Sequence, residues 1–186
     1  VTRDDSPSPL PVLLGLLSSG PAHAYALHEE FSRELGKVWA IGRSQFYAHL
    51  ERLRDLGYAT STEVENGARP KRKPYAITRE GKKALARWMS GCAASIRDLR
   101  LEFLARLYLA RERSLAAPEE VARRQLEIAE RRVAELRKER SGERGEYLRM
   151  VCDFKLSEAE AAAAWIARCA RAAGKTPAKA PKGGAR

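Results

Sequence analysis

Arg43-Ser44-Gln45-Phe46-Tyr47-Ala48-His49-Leu50-Glu51-Arg52-Leu53, then Tyr58-Ala59-Thr60-Ser61-Thr62-Glu63-Val64, and then, across Asn66-Gly67, Arg69-Pro70-Lys71-Arg72-Lys73-Pro74-Tyr75-Ala76-Ile77, is the stretch whose reading decides the fold. Phe46, Leu50 and Leu53 recur at helical spacing, so a helix from about Arg43 to Leu56 has one apolar stripe. Gly57 is a good residue just past its end. The β-branched run after it suits a strand, Asn66-Gly67 is a strong hairpin turn signal, and Pro74–Ile77 is the return strand. Thr78 can cap a further helix carrying Leu85, Trp88 and Met89.

Working outward, Leu10, Leu13, Leu14 and Leu17 recur at i, i+3, i+4, i+7, the pattern of an amphipathic helix that Gly20-Pro21 ends. A second helix, roughly Ala22 to Leu35, places Ala24, Leu27, Phe31 and Leu35 on one face, with Gly36 as its stop. The order helix, helix, helix, hairpin, helix is the winged helix-turn-helix arrangement, with the second and third helices as the reading unit. Residues 1–8 are expected to be a disordered lead and 9–91 the winged-helix domain.

After a break at Gly91–Ser95 the character changes. Ile96 to Ala110 is apolar on nearly every side, as expected of a helix buried on most faces. Pro118 suits the start of the next helix, where Ala122, Leu126, Ala129, Val133 and Leu136 alternate by four and three in a heptad-like seam. Ser141-Gly142 should interrupt it. A last helix, about Tyr147 to Ala172, sets Val151, Ala162, Trp165, Ile166 and Cys169 near one side; Ser157-x-x-Glu160 offers a capping box that would split it, the lesser expectation. Residues 92–173 are therefore expected to be a helical dimerisation domain and 174–186 a disordered basic tail. The fold class is mainly α with a small β-hairpin.

Lysine and arginine number 35 against 24 aspartate and glutamate, a net +11 and a pI near 9.9, which favours polyanionic partners. The excess is spread: residues 1–90 carry 14 basic and 10 acidic side chains, and the tail from 174 carries four basic and none acidic. Charge alone thus does not locate a site. The apolar runs, such as Leu13–Leu17, are too short to span a bilayer, so no membrane partner is expected. Cys92, Cys152 and Cys169 lack paired spacing and are expected to be free, buried structural thiols in a reducing cytoplasm.

With Phe46, Leu50 and Leu53 turned inward, the third helix turns Gln45, Ala48 and Arg52 outward, with Ser44 and Glu51 beyond them and Tyr47 and His49 on the flanks. A small, polar face of this kind suits a major groove, where Gln or Arg reads base edges and Ser meets a phosphate. Taken alone it is equally a solvated helix face. The hairpin tip Arg69-Pro70-Lys71-Arg72-Lys73 shifts the balance, because a basic turn at that distance from a reading helix can track phosphates or enter a minor groove.

Three spaced motifs now stand together: Gly20-Pro21-Ala22-His23-Ala24-Tyr25-Ala26-Leu27, Arg43–Leu53, and Pro70-Lys71-Arg72-Lys73-Pro74-Tyr75-Ala76-Ile77-Thr78-Arg79-Glu80-Gly81. They closely resemble the PadR family of bacterial transcriptional regulators over residues 10–90, and Ile96–Leu104 more loosely resembles the family's link into a longer helical C-terminal domain. The resemblance implies a dimer that presents two reading helices to a pseudo-palindromic operator in double-stranded DNA. It also implies repression, often relieved by a small molecule. Carried over by position, Ser44, Gln45, Tyr47 and His49 fall on the reading helix and Arg69, Lys71, Arg72 and Lys73 on the wing; Arg43 and Arg52 join them as DNA-binding candidates. Ala24 stands where the family usually has Gly, and Pro74 where an aromatic or Thr is common.

The dimer interface is expected from Leu126, Ala129, Val133 and Leu136 together with Val151, Trp165 and Ile166. Trp165 is positioned to wall an effector cavity at the dimer centre, which would suit a small aromatic molecule. His23, His28 and His49 have no metal-site spacing with the cysteines, so no metal or other cofactor is expected. His23 is expected to pack at the first turn of its helix, and His28 to lie on a solvated or packing surface. Asp98, Glu102 and Asp153 read as helix-surface charges, and no nucleophile-elbow, P-loop or dinucleotide motif occurs, so no enzyme is expected. One competing reading is a winged-helix protein-interaction or scaffold module. A weaker one is a non-specific nucleic-acid binder that uses Lys175, Lys179 and Lys182.

Overall fold

The computed structural model describes residues 7–61 and 74–174. The wing tip with Arg69, Lys71, Arg72 and Lys73, the expected lead before residue 7, and the tail with Lys175, Lys179 and Lys182 lie outside the described residues.

The elements run α1 (Leu10–Leu17), β1 (Ala22–His23), α2 (Ala24–Leu35), α3 (Arg43–Asp55), β2 (Ala59–Ser61), β3 (Pro74–Ile77), α4 (Arg79–Ser90), α5 (Ile96–Asp98), a π-helical turn (Leu99–Phe103), α6 (Leu104–Arg113), α7 (Pro118–Gly142) and α8 (Glu146–Ala173). The expected winged helix-turn-helix is present, with one addition. The sheet has three antiparallel strands in the order β1-β3-β2, not two, because Ala22 pairs with Tyr75 and His23 with Pro74. The second helix accordingly starts at Ala24, since the two residues before it are spent on strand pairing. On the other side β3 meets β2 through Ala59–Ile77, Thr60–Ala76 and Ser61–Tyr75.

Helix ends follow local chemistry. Gly57 has φ +70°, a left-handed conformation that costs glycine nothing. There its N–H donates to the Arg54 carbonyl and the Tyr58 N–H reaches back to Leu53, so the last carbonyls of α3 are satisfied. Thr78 Oγ1 accepts from the Gly81 N–H at 3.0 Å, the expected cap of α4. Gly81 leaves no space for a side chain: a Cβ there would lie 2.1 Å from the Tyr58 carbonyl oxygen.

The core is built around α1. It is not amphipathic in use: Val12, Gly15 and Leu16 are buried along with Leu13, Leu14 and Leu17. One face meets α2, α3 and α4, and α6 covers another. Gly15 permits this approach, since a Cβ on it would fall 2.4 Å from Leu109 Cδ1. The same buried cluster takes in Phe31, Phe46, Leu50, Leu53, Leu85, Phe103, Leu109, Val121 and Ile166, so it runs past residue 91 without a break. The segment 96–110 contains a π turn at Leu99–Phe103; Ile96 is exposed and Leu101 and Leu107 are half-buried.

Pro118 begins α7, with Glu119 and Glu120 in the first turn and Arg140 in the last, all favourable to the helix dipole. The helix runs through Ser141 and ends at Gly142. It folds back antiparallel on α8, joined by 143–145, and Ala129, Val133, Leu136, Ala159 and Ile166 close between them or onto the main core. The seam expected to join two copies is therefore filled inside one chain; Leu126, Val151 and Trp165 are half-buried. α8 is not split at Ser157, whose hydroxyl donates to the Asp153 carbonyl at 2.9 Å. Arg137–Glu160, at 2.7 Å, and Arg140–Asp153 pair across the two helices. Gln125, buried in α7, both donates to and accepts from the backbone of Ala93, at 3.0 and 2.8 Å, and so ties the connector after α4 to α7.

Candidate nucleic-acid interface

α3 is fixed from behind by Phe46, Leu50 and Leu53, all fully buried. The Phe46 ring is met edge-on by Phe31, at 5.5 Å, and by His28, at 5.1 Å. His28 is thus a packing residue, whereas His23, expected to pack, is the exposed N-cap of α2. With the back face held, Arg43, Ser44, Gln45, Tyr47, Ala48 and Arg52 are exposed together, and His49 is half-buried on the flank. Burial lowers the His49 pKa below its ordinary value, so its ring is neutral near pH 7.

The two carboxylates of α3 do not spoil this face. Glu51 pairs with Arg54 at 2.5 Å and accepts from the Tyr75 hydroxyl of β3, while Asp55 sits at the helix end beside Arg54. Tyr75 is pushed up to about 12, first by burial and then by the Glu51 carboxylate it donates to. The bond joins the reading helix to the wing strand. Arg43 lies over the Tyr25 ring of α2 at 5.9 Å. The resulting surface is a row of neutral donors and acceptors, Ser44, Gln45, Tyr47 and His49, flanked by Arg43 and Arg52. Such a row can hydrogen-bond base edges while the arginines meet phosphates.

The remaining sequence candidates fall elsewhere. Trp165 packs edge-to-face on Phe103 at 5.6 Å. It does not line the cavity of about 550 Å³ between the connector Ala93–Leu99, α7 and α8, whose wall is largely apolar with Arg132, Lys155 and Glu158 among its polar members. Cys92, Cys152 and Cys169 are free, as expected, but half-buried; burial raises the Cys169 thiol. Trp88 is covered by the guanidinium of Arg106, 4.3 Å from its ring centre. Arg106 is itself buried and pairs at 2.7 Å with Glu102, which is therefore largely covered and not the helix-surface charge its sequence position suggests. Among the described residues no cluster of His, Cys, Asp and Glu fits a metal ion, and no helix is long and apolar enough to cross a membrane.

Residues 13–87 match the model of the transcriptional regulator PadR-like family. The chain is 31% identical over 96 residues to the negative transcriptional regulator PadR of Bacillus subtilis, covering 52% of this chain and 53% of that protein. It is 31% identical over 78 residues to a probable transcriptional regulator of Mycobacterium tuberculosis, covering 42% of this chain and 41% of that one. These matches thus span about half or less of each relative's length. Among solved structures, Bacillus subtilis PadR in complex with operator DNA is similar at 23% identity, with 88% of this chain and 96% of that chain covered and a TM-score of 0.44.

Proposed function

We propose that this chain, a PadR-like protein over residues 13–87, is a sequence-specific DNA-binding transcriptional regulator that acts as a dimeric repressor on a pseudo-palindromic operator and is released by a small-molecule effector. The observation that carries the reading is the outer face of α3. Ser44, Gln45, Tyr47 and Arg52 are exposed there on a fully buried apolar back, and Glu51 is tied up by Arg54 and Tyr75. The basic tip Arg69, Lys71, Arg72 and Lys73 supplies the wing's phosphate contacts in this reading. No catalytic group is invoked.

Pairing of two copies is assigned to α8. Tyr147, Met150 and Phe154 are 71%, 62% and 64% exposed, and with half-buried Val151 they form one apolar stripe on the first turns of the helix. A patch of large apolar side chains in water favours a partner. A two-fold pair would set half-sites about one DNA turn apart, roughly 34–36 Å. The effector is assigned to the cavity between the connector and α7–α8, where filling would act on the link between the reading unit and the helices that pair.

The test is selection of duplexes from a random-sequence pool, followed by binding measurements over a range of salt. We expect a palindromic consensus and a steep loss of affinity with salt. Gln45→Ala should cost about 1–3 kcal/mol and relax one base position, whereas Lys71→Glu with Arg72→Glu should weaken all sequences alike. Failure of the folded chain to enrich any duplex rules the reading out in favour of a protein-interaction module. Loss of binding on removal of residues 174–186, with α3 variants unaffected, would instead favour the non-specific binder.

A further inference from the structure

Tyr25 stands on the first turn of α2, a large aromatic left 54% exposed. Two contacts fix it. Its hydroxyl donates to Glu29 Oε1 one helical turn on, at 2.5 Å, and its ring lies beneath the Arg43 guanidinium, 5.9 Å from Cζ to the ring centre. Two residues earlier the backbone is held in β1, paired to the wing strand through Ala22–Tyr75 and His23–Pro74. Tyr25 is thus set by the wing sheet on one side and its ring reaches the reading helix on the other.

Arg43 is the first residue of α3. A cation at that end opposes the helix dipole, so helix stability does not account for it. Among the described residues no carboxylate pairs with it. Stacking on an aromatic face leaves the edge N–H groups of a guanidinium directed outward, and these match a phosphate in a two-point contact. An unstacked arginine would have to give up much of its rotamer freedom on binding.

We infer that Tyr25 is a positioning residue for DNA binding, holding Arg43 as a preformed phosphate clamp where α2 meets α3. The inference rests on the DNA-binding reading above. Because the clamp meets a phosphate and no base, Tyr25 sets affinity and leaves sequence preference alone.

The test compares the full wild-type chain with Tyr25→Phe, Tyr25→Leu, Tyr25→Ala, Arg43→Ala and the Tyr25→Ala/Arg43→Ala double variant. The probe is the duplex the wild type enriches from a random-sequence pool, titrated over a KCl series. Arg43→Ala should lower the slope of log affinity against log salt by about 0.9, one phosphate contact. Tyr25→Ala and Tyr25→Leu should each lose affinity several-fold on every duplex alike. The double variant should bind no worse than Arg43→Ala, and Tyr25→Phe, which keeps the ring, should bind like wild type. Tyr25→Leu keeps apolar bulk at the site and controls for folding. The inference falls if Tyr25→Leu binds like wild type, if the two losses multiply in the double variant, or if Tyr25→Phe is as weak as Tyr25→Ala. A wild type that enriches no duplex overturns the DNA-binding reading and this inference with it.

Discussion

Glu30 of α2 and Arg113 at the end of α6 form an ion pair between residues 83 positions apart. Their side chains are 26% and 17% exposed, so the pair is largely shielded. Arg113 also donates to Ser19, and the Tyr108 hydroxyl makes a long contact of 3.5 Å to Glu30. The first helix of the reading unit is thereby held to the helical part of the chain by charge as well as by the core.

Removing Arg113 leaves Glu30 half-covered without its main partner. Arg113→Ala should lower the unfolding free energy by about 1.5–3 kcal/mol, the range for hydrogen bonds to charged groups. Urea unfolding measures it. A midpoint equal to wild type would show that the pair contributes nothing.

Tyr75 and Tyr108 are both pushed from an ordinary 10.0 to about 12, chiefly by burial, with Glu51 and Glu30 adding to it respectively. A pKa raised in the folded state means the folded chain holds the proton more tightly. The stability this gives is complete below about pH 10 and lost as pH rises toward about 12. Denaturation midpoints should therefore fall across that window. Tyr75→Phe and Tyr108→Phe should each flatten the fall, and absorbance titration should show two late phenols. Two ordinary phenol titrations would refute this.

Gly81→Ala places a methyl group 2.1 Å from the Tyr58 carbonyl oxygen, a backbone atom that no rotamer can move aside. The better helix propensity of alanine, about 1 kcal/mol, opposes the clash. Overpacking at a site this tight costs about 1–3 kcal/mol or more, so the clash wins. We expect a clear drop in melting temperature together with weakened β2–β3 amide protection in hydrogen exchange. A melting temperature at or above wild type would contradict it.

Phe154→Glu sets a charge in the exposed α8 stripe of Tyr147, Met150, Val151 and Phe154. Sedimentation equilibrium should show the wild type paired and the variant dissociated, with an unchanged circular dichroism spectrum. A variant that stays paired would move the interface away from α8.

The winged unit was legible because its signals are local. The stripe Phe46, Leu50, Leu53, the stop at Gly57 and the cap at Thr78 each have a nearby physical cause. β1 was not legible, since two residues carry no periodicity and become a strand only by pairing with β3. The spacing of Ala129, Val133 and Leu136 marks a covered seam, and α8 of the same chain covers it. Spacing reports that a face is covered; it does not report whose helix covers it. Arg106 was missed for a related reason. Nothing in its neighbourhood signals that Trp88, 18 positions earlier, will lie against its guanidinium. For the reading face, the exposed residues are those the helical wheel turned outward, with His49 half-buried between them.

The packing of Gly15 against Leu109 has a mechanical consequence. The space left at residue 15 is filled by the Leu109 side chain, so α1 and α6 lie closer there than a larger residue would allow without a shift of Leu109. A displacement of α6 would reach α1 through this contact, and the shared core joins α1 to α2 and α3. If two copies pair as proposed, a push on the long helices would alter how far apart the two reading faces stand and at what angle, while the letters each face can read stay the same. Control of the proposed pair would then work on its stride along the duplex.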